Sequence, residues 1–330
     1  MNILVGDVGG THCRLAMARV SGTKVTLSDI RHFRNEEFTG LAAILAQYLG
    51  QASPLEVACL AVAGPTDGRH VQFTNLSWHI DAASLEKGLG LKHVGLVNDF
   101  SAVGWGLNAL GSQDLTTLQE GIPGTEGVKA AVGAGTGLGV SIGIPRDGLH
   151  HPIPTEGGHI GFAPLNPEQD RLLDFLRSHY GRVSVERLLS GPGIIDLYRF
   201  CAGEAGQNGF GVLDEPIPAQ AISVSAQSGQ DAAAVHAMKL FAAIYGQVAG
   251  DIALLTQARG GIYLAGGIPP KILPLLRGPE FLAGFHAKGR FSDWMHTVPV
   301  AVVLDDAIGL RGAAVAAIQP RSEGQANTQG

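Results

Sequence analysis

Three glycine-rich loops are the segments of this chain best suited to chemistry on a phosphate group. They cover residues 7–11, 133–139 and 265–268. Glycine lets backbone N–H groups approach phosphate oxygens closely, because it lacks a Cβ and tolerates unusual backbone angles. A single glycine-rich turn after a strand is more often only a turn, whereas three in one chain favour nucleotide binding.

The second loop does not fit the common nucleotide-binding fingerprints. If Gly133 and Gly135 begin a G-x-G-x-x-G pattern, its third glycine position falls on Leu138, so the dinucleotide pattern fails. The Gly-Lys-Ser/Thr signature of a P-loop occurs nowhere in the sequence. These two observations count against a dehydrogenase and against a P-loop enzyme.

Two aspartates stand at the ends of predicted buried strands. Asp7 closely follows the apolar run 3–5, and Asn98 and Asp99 follow the apolar run 94–97. In open α/β sheets, ligands bind at the carboxyl edge of the strands, so these side chains are candidates for a site. An isolated Asn-Asp pair in this position would be an ordinary turn.

Strands and helices alternate along the chain, which predicts an α/β fold. Periodicity predicts one helix over 41–49, with Thr39 as its N-cap, and a long helix over 238–255, where apolar residues recur every three or four positions. The other predicted strands are 13–20, 57–63, two within 130–144, 262–265 and 298–304, and the other predicted helices are 170–180 and 306–318.

The length of 330 residues predicts two lobes, because one hydrophobic core rarely grows to this size. The Gly-, Thr- and Gln-rich segment 110–127 is the expected boundary. We therefore expect a smaller α/β lobe over 1–110, completed by 301–318, and a larger α/β lobe over 111–300. Residues 319–330 are polar and are predicted to be a disordered tail.

The composition limits the classes of partner that the protein is expected to bind, and it indicates the cellular compartment. The net charge of −6 argues against a nucleic-acid surface. Cys13, Cys59 and Cys201 show neither metal-ligand spacing nor a disulfide framework, which predicts a reducing cytoplasm. The first residues do not resemble a signal peptide. The longest uncharged apolar stretch, 130–144, is shorter than the roughly 18 residues of a membrane span, so no membrane association is expected.

The three loops resemble, in order, the phosphate 1, phosphate 2 and adenosine motifs of the superfamily of sugar kinases, heat-shock protein 70 and actin. With the segments 97–102, 155–159 and 186–193 added, the chain resembles the bacterial glucokinase family from residue 7 to about residue 318. This resemblance implies a two-lobed ribonuclease H-like fold with a ligand cleft between the lobes. It also implies phosphorylation of glucose by ATP on the 6-hydroxyl.

The resemblance assigns roles to individual residues. Asp99 would be the general base, since an alcohol is a poor nucleophile until its proton has an acceptor. The residues expected to bind glucose are Asn98, Asp99, Glu156, His159 and Glu186. Taken alone, Glu186 could be a solvated helix position near Arg182 and Arg187, and His159 could be a core histidine.

The same resemblance implies the cofactors ATP and Mg²⁺. Asp7 would help to hold Mg²⁺ through water, because this metal keeps much of its hydration shell. The residues expected around the nucleotide are Gly9, Gly10, Thr11, Gly135, Thr136, Gly137, Gly266 and Gly267. The cysteine-rich zinc motif of the related repressor and kinase group is missing from the sequence, so zinc is not expected. A homodimer is expected by resemblance only.

Three alternatives remain open from sequence. The enzyme could act on another hexose, such as mannose or fructose, with the same site. The protein could instead be a regulator that binds sugar and ATP without turnover, although the retained Asp99 is contrary evidence. A dehydrogenase ranks last because its fingerprint fails.

Overall fold

The computed structural model describes residues 2–50, 55–73, 78–122, 126–204 and 217–319. The chain divides into two compact units. The first unit contains the residues up to Leu110 and those from Ala307 onwards, and the second contains Gly111–Asp306.

The first unit begins with strands and helices that follow one another closely. In chain order they are β1 (Asn2–Val8), β2 (His12–Ser21), β3 (Lys24–Arg34), α1 (Leu41–Leu49), β4 (Val57–Val62), β5 (His70–Gln72), β6 (His79–Asp81), α2 (Ala82–Leu89), β7 (His93–Asn98) and α3 (Asp99–Gly106). The strands predicted over 3–5, 13–20, 57–63 and 94–97 are confirmed as β1, β2, β4 and β7.

The main sheet of the first unit has the strand order β3-β2-β1-β4-β7. β1, β2 and β3 form an antiparallel meander, and β4 and β7 run parallel to β1. Val8 lies opposite Val62, and Val62 lies opposite Asn98, so the three parallel strands end at the same edge. This edge carries the loop after β1 and the start of α3.

The core of the first unit covers both faces of this sheet. Leu4 of β1 packs in one cluster with Ile44 and Leu85, which come from α1 and α2. Ile3, the neighbouring residue of β1, packs on the opposite face with Leu310. This alternation follows from the two-residue period of a strand, and it explains why β1 is apolar on both faces.

The second unit is built from the elements between Gly111 and Asp306. In chain order they are β8 (Leu115–Gln119), β9 (Lys129–Ala134), β10 (Leu138–Arg146), β11 (Leu149–Ile153), α4 (Pro167–Tyr180), α5 (Gly191–Glu204), α6 (Ala219–Ser228), α7 (Ala232–Thr256), β12 (Gly261–Ala265), α8 (Leu273–Leu276), α9 (Pro279–His286), α10 (Ser292–Met295) and β13 (Val300–Val303). The chain then returns to the first unit, where α11 (Ile308–Ala317) is the last described helix.

The sheet of the second unit repeats the layout of the first. Its order is β11-β10-β9-β12-β13-β8, with an antiparallel meander of β9, β10 and β11 followed by β12 and β13 parallel to β9. An antiparallel β8 closes the other edge. In both units, therefore, a glycine-rich loop joins the first two strands of the meander: residues 9–11 in one and 135–137 in the other.

The long helix predicted over 238–255 is confirmed as α7, which is the central helix of the second unit. The fully buried Tyr245 donates a hydrogen bond from its hydroxyl to the backbone oxygen of Val132, 2.7 Å away, and so joins α7 to β9. Among the described helices α7 is long and apolar enough to cross a membrane, but 72% of its apolar stretch is buried inside the protein. A core helix produces the same pattern.

The structure corrects several boundaries. The N-cap of α1 is Gly40 rather than Thr39, and no side chain caps that helix. α4 begins at Pro167, three residues before the predicted start, because Asn166 caps it by accepting a hydrogen bond from the backbone of Gln169.

β13 pairs with β12 and β8 in the second unit, so the chain returns to the first unit at Ala307 rather than at residue 301. The predicted tail lies outside the described residues from position 320 onwards.

Candidate active site

Asn98 and Asp99 lie at the carboxyl edge of the first sheet, where β7 passes directly into α3. Asn98 is the N-cap, and its Oδ1 atom accepts hydrogen bonds from the backbone amides of Phe100 and Ser101, both at 3.0 Å. Its Nδ2 atom donates to Oδ1 of Asp99 at 3.0 Å and to the backbone oxygen of Gly64 at 3.3 Å. These contacts fix the side chain of Asn98 and orient the carboxylate of Asp99.

Asn35 holds the loop after β1 through hydrogen bonds to its backbone. The sequence did not predict this residue for the site. The backbone amide of Gly9 donates to the oxygen of His12 at 3.0 Å, which closes the turn. Asn35 donates from Nδ2 to the oxygen of Gly9 and from its backbone amide to the oxygen of Thr11, both at 2.9 Å. Asn35 is buried, whereas Gly10 and Thr11 are exposed and open to a ligand.

Asp7 forms an ion pair within the same sheet. It lies opposite Arg14 in the β1–β2 ladder, and the Arg14 guanidinium donates to Oδ2 of Asp7 at 2.9 Å. The pair is partly exposed, so the Asp7 carboxylate is accessible to water. Arg14 was not among the residues predicted for the site.

Burial removes the neighbouring cysteines from any nucleophilic chemistry. It raises the pKa of the Cys59 thiol to about 12, and burial together with the charge of Asp7 raises the pKa of Cys13 to about 12. Both thiols are therefore protonated at neutral pH.

In the second unit, the glycine loop between β9 and β10 contacts Glu186. The backbone amide of Gly135 donates to the oxygen of Gly137, and the amide of Gly191, at the start of α5, donates to the oxygen of Gly135, both at 2.8 Å. The backbone amide of Leu138 donates to Oε2 of Glu186 at 2.9 Å. The loop is therefore fixed to itself, to α5 and to a carboxylate.

Glu156, His159 and Glu186 come together on one side of the second unit. The Nδ1 atom of His159 lies 3.9 Å from Oε1 of Glu186, and its Nε2 atom lies 4.0 Å from Oε2 of Glu156. The side chain of His159 is 58% exposed, so it is not a core histidine. Two carboxylates and an imidazole, partly open to solvent, form a set of donors and acceptors that suits a ligand with several hydroxyl groups.

Backbone pairing explains why residues so distant in sequence meet here. The amide of Phe162 donates to the oxygen of Val183 at 3.1 Å, and the amide of Val185 donates to the oxygen of Ile160 at 3.0 Å. The chain after His159 therefore runs beside the chain before Glu186. Both segments are anchored on the second unit.

The arginines near Glu186 are engaged elsewhere. Arg182 donates to the backbone oxygen of His159 at 2.7 Å. Arg187 lies over the ring of Tyr180, with 4.2 Å between the guanidinium carbon and the ring centre. Glu186 is 30% exposed and lies on a short 3-10 turn rather than on a solvated helix. No arginine among the described residues is ion-paired with its carboxylate.

A cavity of about 640 Å³ opens within the second unit beside the glycine loops. Gly266 has a positive φ of 89°, and a Cβ at this position would lie 2.5 Å from the backbone oxygen of Ala134, so only glycine fits. The next turn is held by the amide of Ile268, which donates to the same oxygen at 3.1 Å. The cavity is lined by residues of both loops, of α5, of α6 and of the 3-10 turn before α8: Gly135, Thr136, Gly191, Pro192, Ile194, Ala219, Gln220, Ser223, Val224, Gln227, Gly267, Ile268, Lys271 and Ile272.

Comparison with known proteins identifies the family of this chain. A family model described as Glucokinase matches residues 4–320. The glucokinase of Synechocystis sp. is 38% identical over 350 residues, covering 97% of this chain and 98% of that protein. The chain belongs to the glucokinase family. The resemblance inferred from the motifs is therefore confirmed.

Solved structures confirm the mixed α/β fold of glucokinases. A crystal structure of a glucokinase from an Antarctic psychrotroph matches with a TM-score of 0.85 at 31% identity, covering 96% of this chain and 98% of that one. A ROK family glucokinase from Streptomyces griseus, solved in complex with glucose and AMPPNP, matches with a TM-score of 0.64 at 21% identity, covering 96% of this chain and 99% of that one. The latter likeness concerns the fold alone.

Proposed function

We propose that this protein is a glucokinase, which transfers the γ-phosphoryl group of ATP to the 6-hydroxyl of glucose. The family match over residues 4–320 carries this proposal. The Streptomyces griseus protein was solved with glucose, which is the proposed substrate, and with AMPPNP, which is a nucleotide analogue. Both ligands support the proposal. The alternatives of another hexose or of a regulator without turnover are not favoured, since the related proteins are themselves named glucokinases.

Asp99 is proposed as the general base. The 6-hydroxyl becomes a competent nucleophile as its proton passes to an acceptor, and a positioned carboxylate supplies that acceptor. The hydrogen bonds from Asn98 and from the amide of Phe100, the latter at 2.8 Å, support this role because they hold the carboxylate in one orientation. Phosphoryl transfer depends mainly on such positioning and on charge stabilisation.

Glu156, His159 and Glu186 are proposed to bind the sugar hydroxyls, together with Asn98. A hydroxyl donates one hydrogen bond and accepts others, so it pairs well with carboxylates and with either form of an imidazole. The distances of 3.9 and 4.0 Å between His159 and the two carboxylates support this role, because they leave room for bridging hydroxyls.

The cavity of the second unit is proposed to receive the adenosine of ATP. Its volume is typical of small-molecule sites. Ile194, Ile268 and Ile272 offer apolar surface to a base, while Gln220 and Ser223 offer polar groups to its edge and to the ribose. The glycine loops are proposed to receive the phosphates: residues 135–137 and 266–267 in this unit, and residues 9–11 in the first unit.

Mg²⁺ is proposed to accompany ATP, with Asp7 holding it through water. Asp7 fits this role, since Arg14 engages its Oδ2 atom and the carboxylate remains partly exposed. The described residues contain no group of three or more His, Cys, Asp or Glu side chains that could cage a metal ion. Mg²⁺ needs few protein ligands because it keeps water and phosphate oxygens. When bound, it would neutralise charge on the phosphates.

The deciding experiment measures ADP release from MgATP with glucose, mannose, fructose and no sugar. We expect the highest kcat/KM with glucose and very slow release without sugar. A higher kcat/KM with mannose or fructose would move the assignment to another hexose. Binding of glucose and ATP without ADP release would identify a regulator instead.

We further propose that the protein works in the cytoplasm as a homodimer. The resemblance to bacterial glucokinases supports both statements. Sedimentation of the purified protein at several concentrations tests the assembly, and a monomer at all of them would contradict it.

A further inference from the structure

The carboxylate of Glu186 contacts two different parts of the second unit. Its Oε2 atom accepts the hydrogen bond from the amide of Leu138, at the end of the glycine loop 135–137. Its Oε1 atom faces His159 at 3.9 Å. One side chain thus reaches both the loop proposed for the phosphates and the residues proposed for glucose.

We propose that Glu186 couples the two ligands: it binds the sugar, and it also holds the phosphate loop in the shape that receives the nucleotide. This inference rests on the proposed function. Its consequence is that the affinity for phosphate-bearing nucleotides depends on Glu186 even when no sugar is present.

The hydrogen bond to Leu138 is strong for its type, because the acceptor is a carboxylate. It lies immediately after Gly137, whose backbone oxygen accepts from the amide of Gly135 within the loop. If the carboxylate were removed, the amide of Leu138 would lose this partner. The loop would then lose one of the three hydrogen bonds described above for it. The other two are its internal hydrogen bond and the bond from Gly191.

The two glycines of the loop have different surroundings, which supports a specific role for the carboxylate. A Cβ on Gly137 would lie 2.5 Å from Oε2 of Glu186, whereas a Cβ on Gly135 would meet no atom within 4 Å. Gly137 therefore provides the space that admits the carboxylate of Glu186. Gly135 instead faces open space, and it lines the cavity proposed for adenosine.

A sugar hydroxyl that binds Oε1 acts on the same rigid carboxylate whose other oxygen holds the loop. The position of Oε2 relative to Leu138 then depends on sugar occupancy. Because coupling between two ligands is reciprocal, glucose should change nucleotide affinity by the same factor by which the nucleotide changes glucose affinity.

The test compares Glu186→Ala with Glu186→Gln by calorimetric titration of adenosine and of ADP, each without glucose. The amide oxygen of Gln can still accept the hydrogen bond from Leu138, whereas Ala cannot. We expect Ala to weaken ADP binding by about 3- to 10-fold, in line with the loss of one hydrogen bond that holds the loop. Adenosine binding should change less than about twofold, and Gln should restore most of the ADP affinity.

Glu156→Ala is the matched control, because Glu156 lies in the sugar cluster and contacts His159 rather than the loop. It should weaken glucose binding and leave sugar-free ADP affinity unchanged. Unchanged ADP affinity in Glu186→Ala would overturn the proposal, and so would an equal loss of adenosine and ADP affinity. If the wild-type protein binds ADP but phosphorylates no hexose, the proposed function fails, while the comparison of Ala with Gln still decides the role of Glu186.

Discussion

Asn98 donates a hydrogen bond from its side-chain amide to Oδ1 of Asp99, 3.0 Å away. The same Asn98 side chain caps α3 through its own oxygen. The orientation of the proposed base is thus determined by the residue that starts the helix. A change at Asn98 would disturb both the cap and the base, whereas a change at Asp99 can be confined to the base.

Asp99→Asn should separate chemistry from binding. The Asn oxygen can accept from Asn98 and from the amide of Phe100 as the carboxylate does, so the fold and glucose binding should be retained. Without a proton acceptor, kcat should fall by about 10²- to 10⁴-fold. Steady-state kinetics and glucose titration of the same sample measure both quantities. Near-normal kcat in this variant would exclude Asp99 as the base.

Glu156→Gln should act on the sugar alone. The change replaces a charged acceptor by a neutral amide, so the KM for glucose should rise by about tenfold, because hydrogen bonds to charged groups are stronger than neutral ones. The KM for ATP should stay within a few fold. His159→Ala should give the same split. A rise confined to the ATP KM would place these residues in the nucleotide site instead.

Val224→Trp should test the adenosine cavity. Val224 lines the cavity and is 59% exposed, so a larger side chain can be added without disturbing the core. We expect the KM for ATP to rise by about tenfold or more through steric exclusion, with an unchanged glucose KM. Leu255→Trp is the control, since Leu255 is 80% exposed on α7 and does not line the cavity. Equal effects of both changes would refute the assignment.

A histidine outside the site predicts how stability depends on pH. The Nε2 atom of His286 lies 2.6 Å from Oε1 of Gln119, and the ring centre of His286 lies 3.8 Å from that of His296. Burial, and then the charge of His296, lower the pKa of His286 below its usual 6.5. The folded state therefore favours the neutral ring, while the unfolded chain takes up a proton from about pH 6.5 downwards.

The free energy of unfolding should consequently decrease as the pH falls from 6.5 through the lowered pKa of His286. Thermal melts between pH 8 and pH 5 measure this loss. His286→Asn removes the titrating group and should flatten the dependence of Tm on pH. The same change at the exposed His32 should leave the slope of Tm against pH unaltered. A wild-type Tm that is constant down to pH 5 would contradict the prediction.

The ends of the strands could be located from sequence, because buried strands and the glycines that follow them are local signals. The position of Asp99 is predictable from the buried strand that precedes it, and the positions of the three glycine loops are predictable from their glycines. Arg14 was missed because its contact with Asp7 depends on strand register, which a local pattern does not specify. Asn35 was missed because its hydrogen bond to Gly9 joins two residues that are distant in sequence and become neighbours only when the chain folds. α6, which lines the cavity, was not among the predicted helices for want of a distinct apolar period.

The discontinuous first unit has a consequence for biosynthesis. α11 packs against α3 so closely that a Cβ on Gly312 would collide with the backbone oxygen of Ala102, and Leu310 completes one face of the first sheet. A ribosome must therefore translate the whole of Gly111–Asp306 before that face can be covered. During elongation that face of β1 therefore stays exposed until α11, the last described helix, has been made.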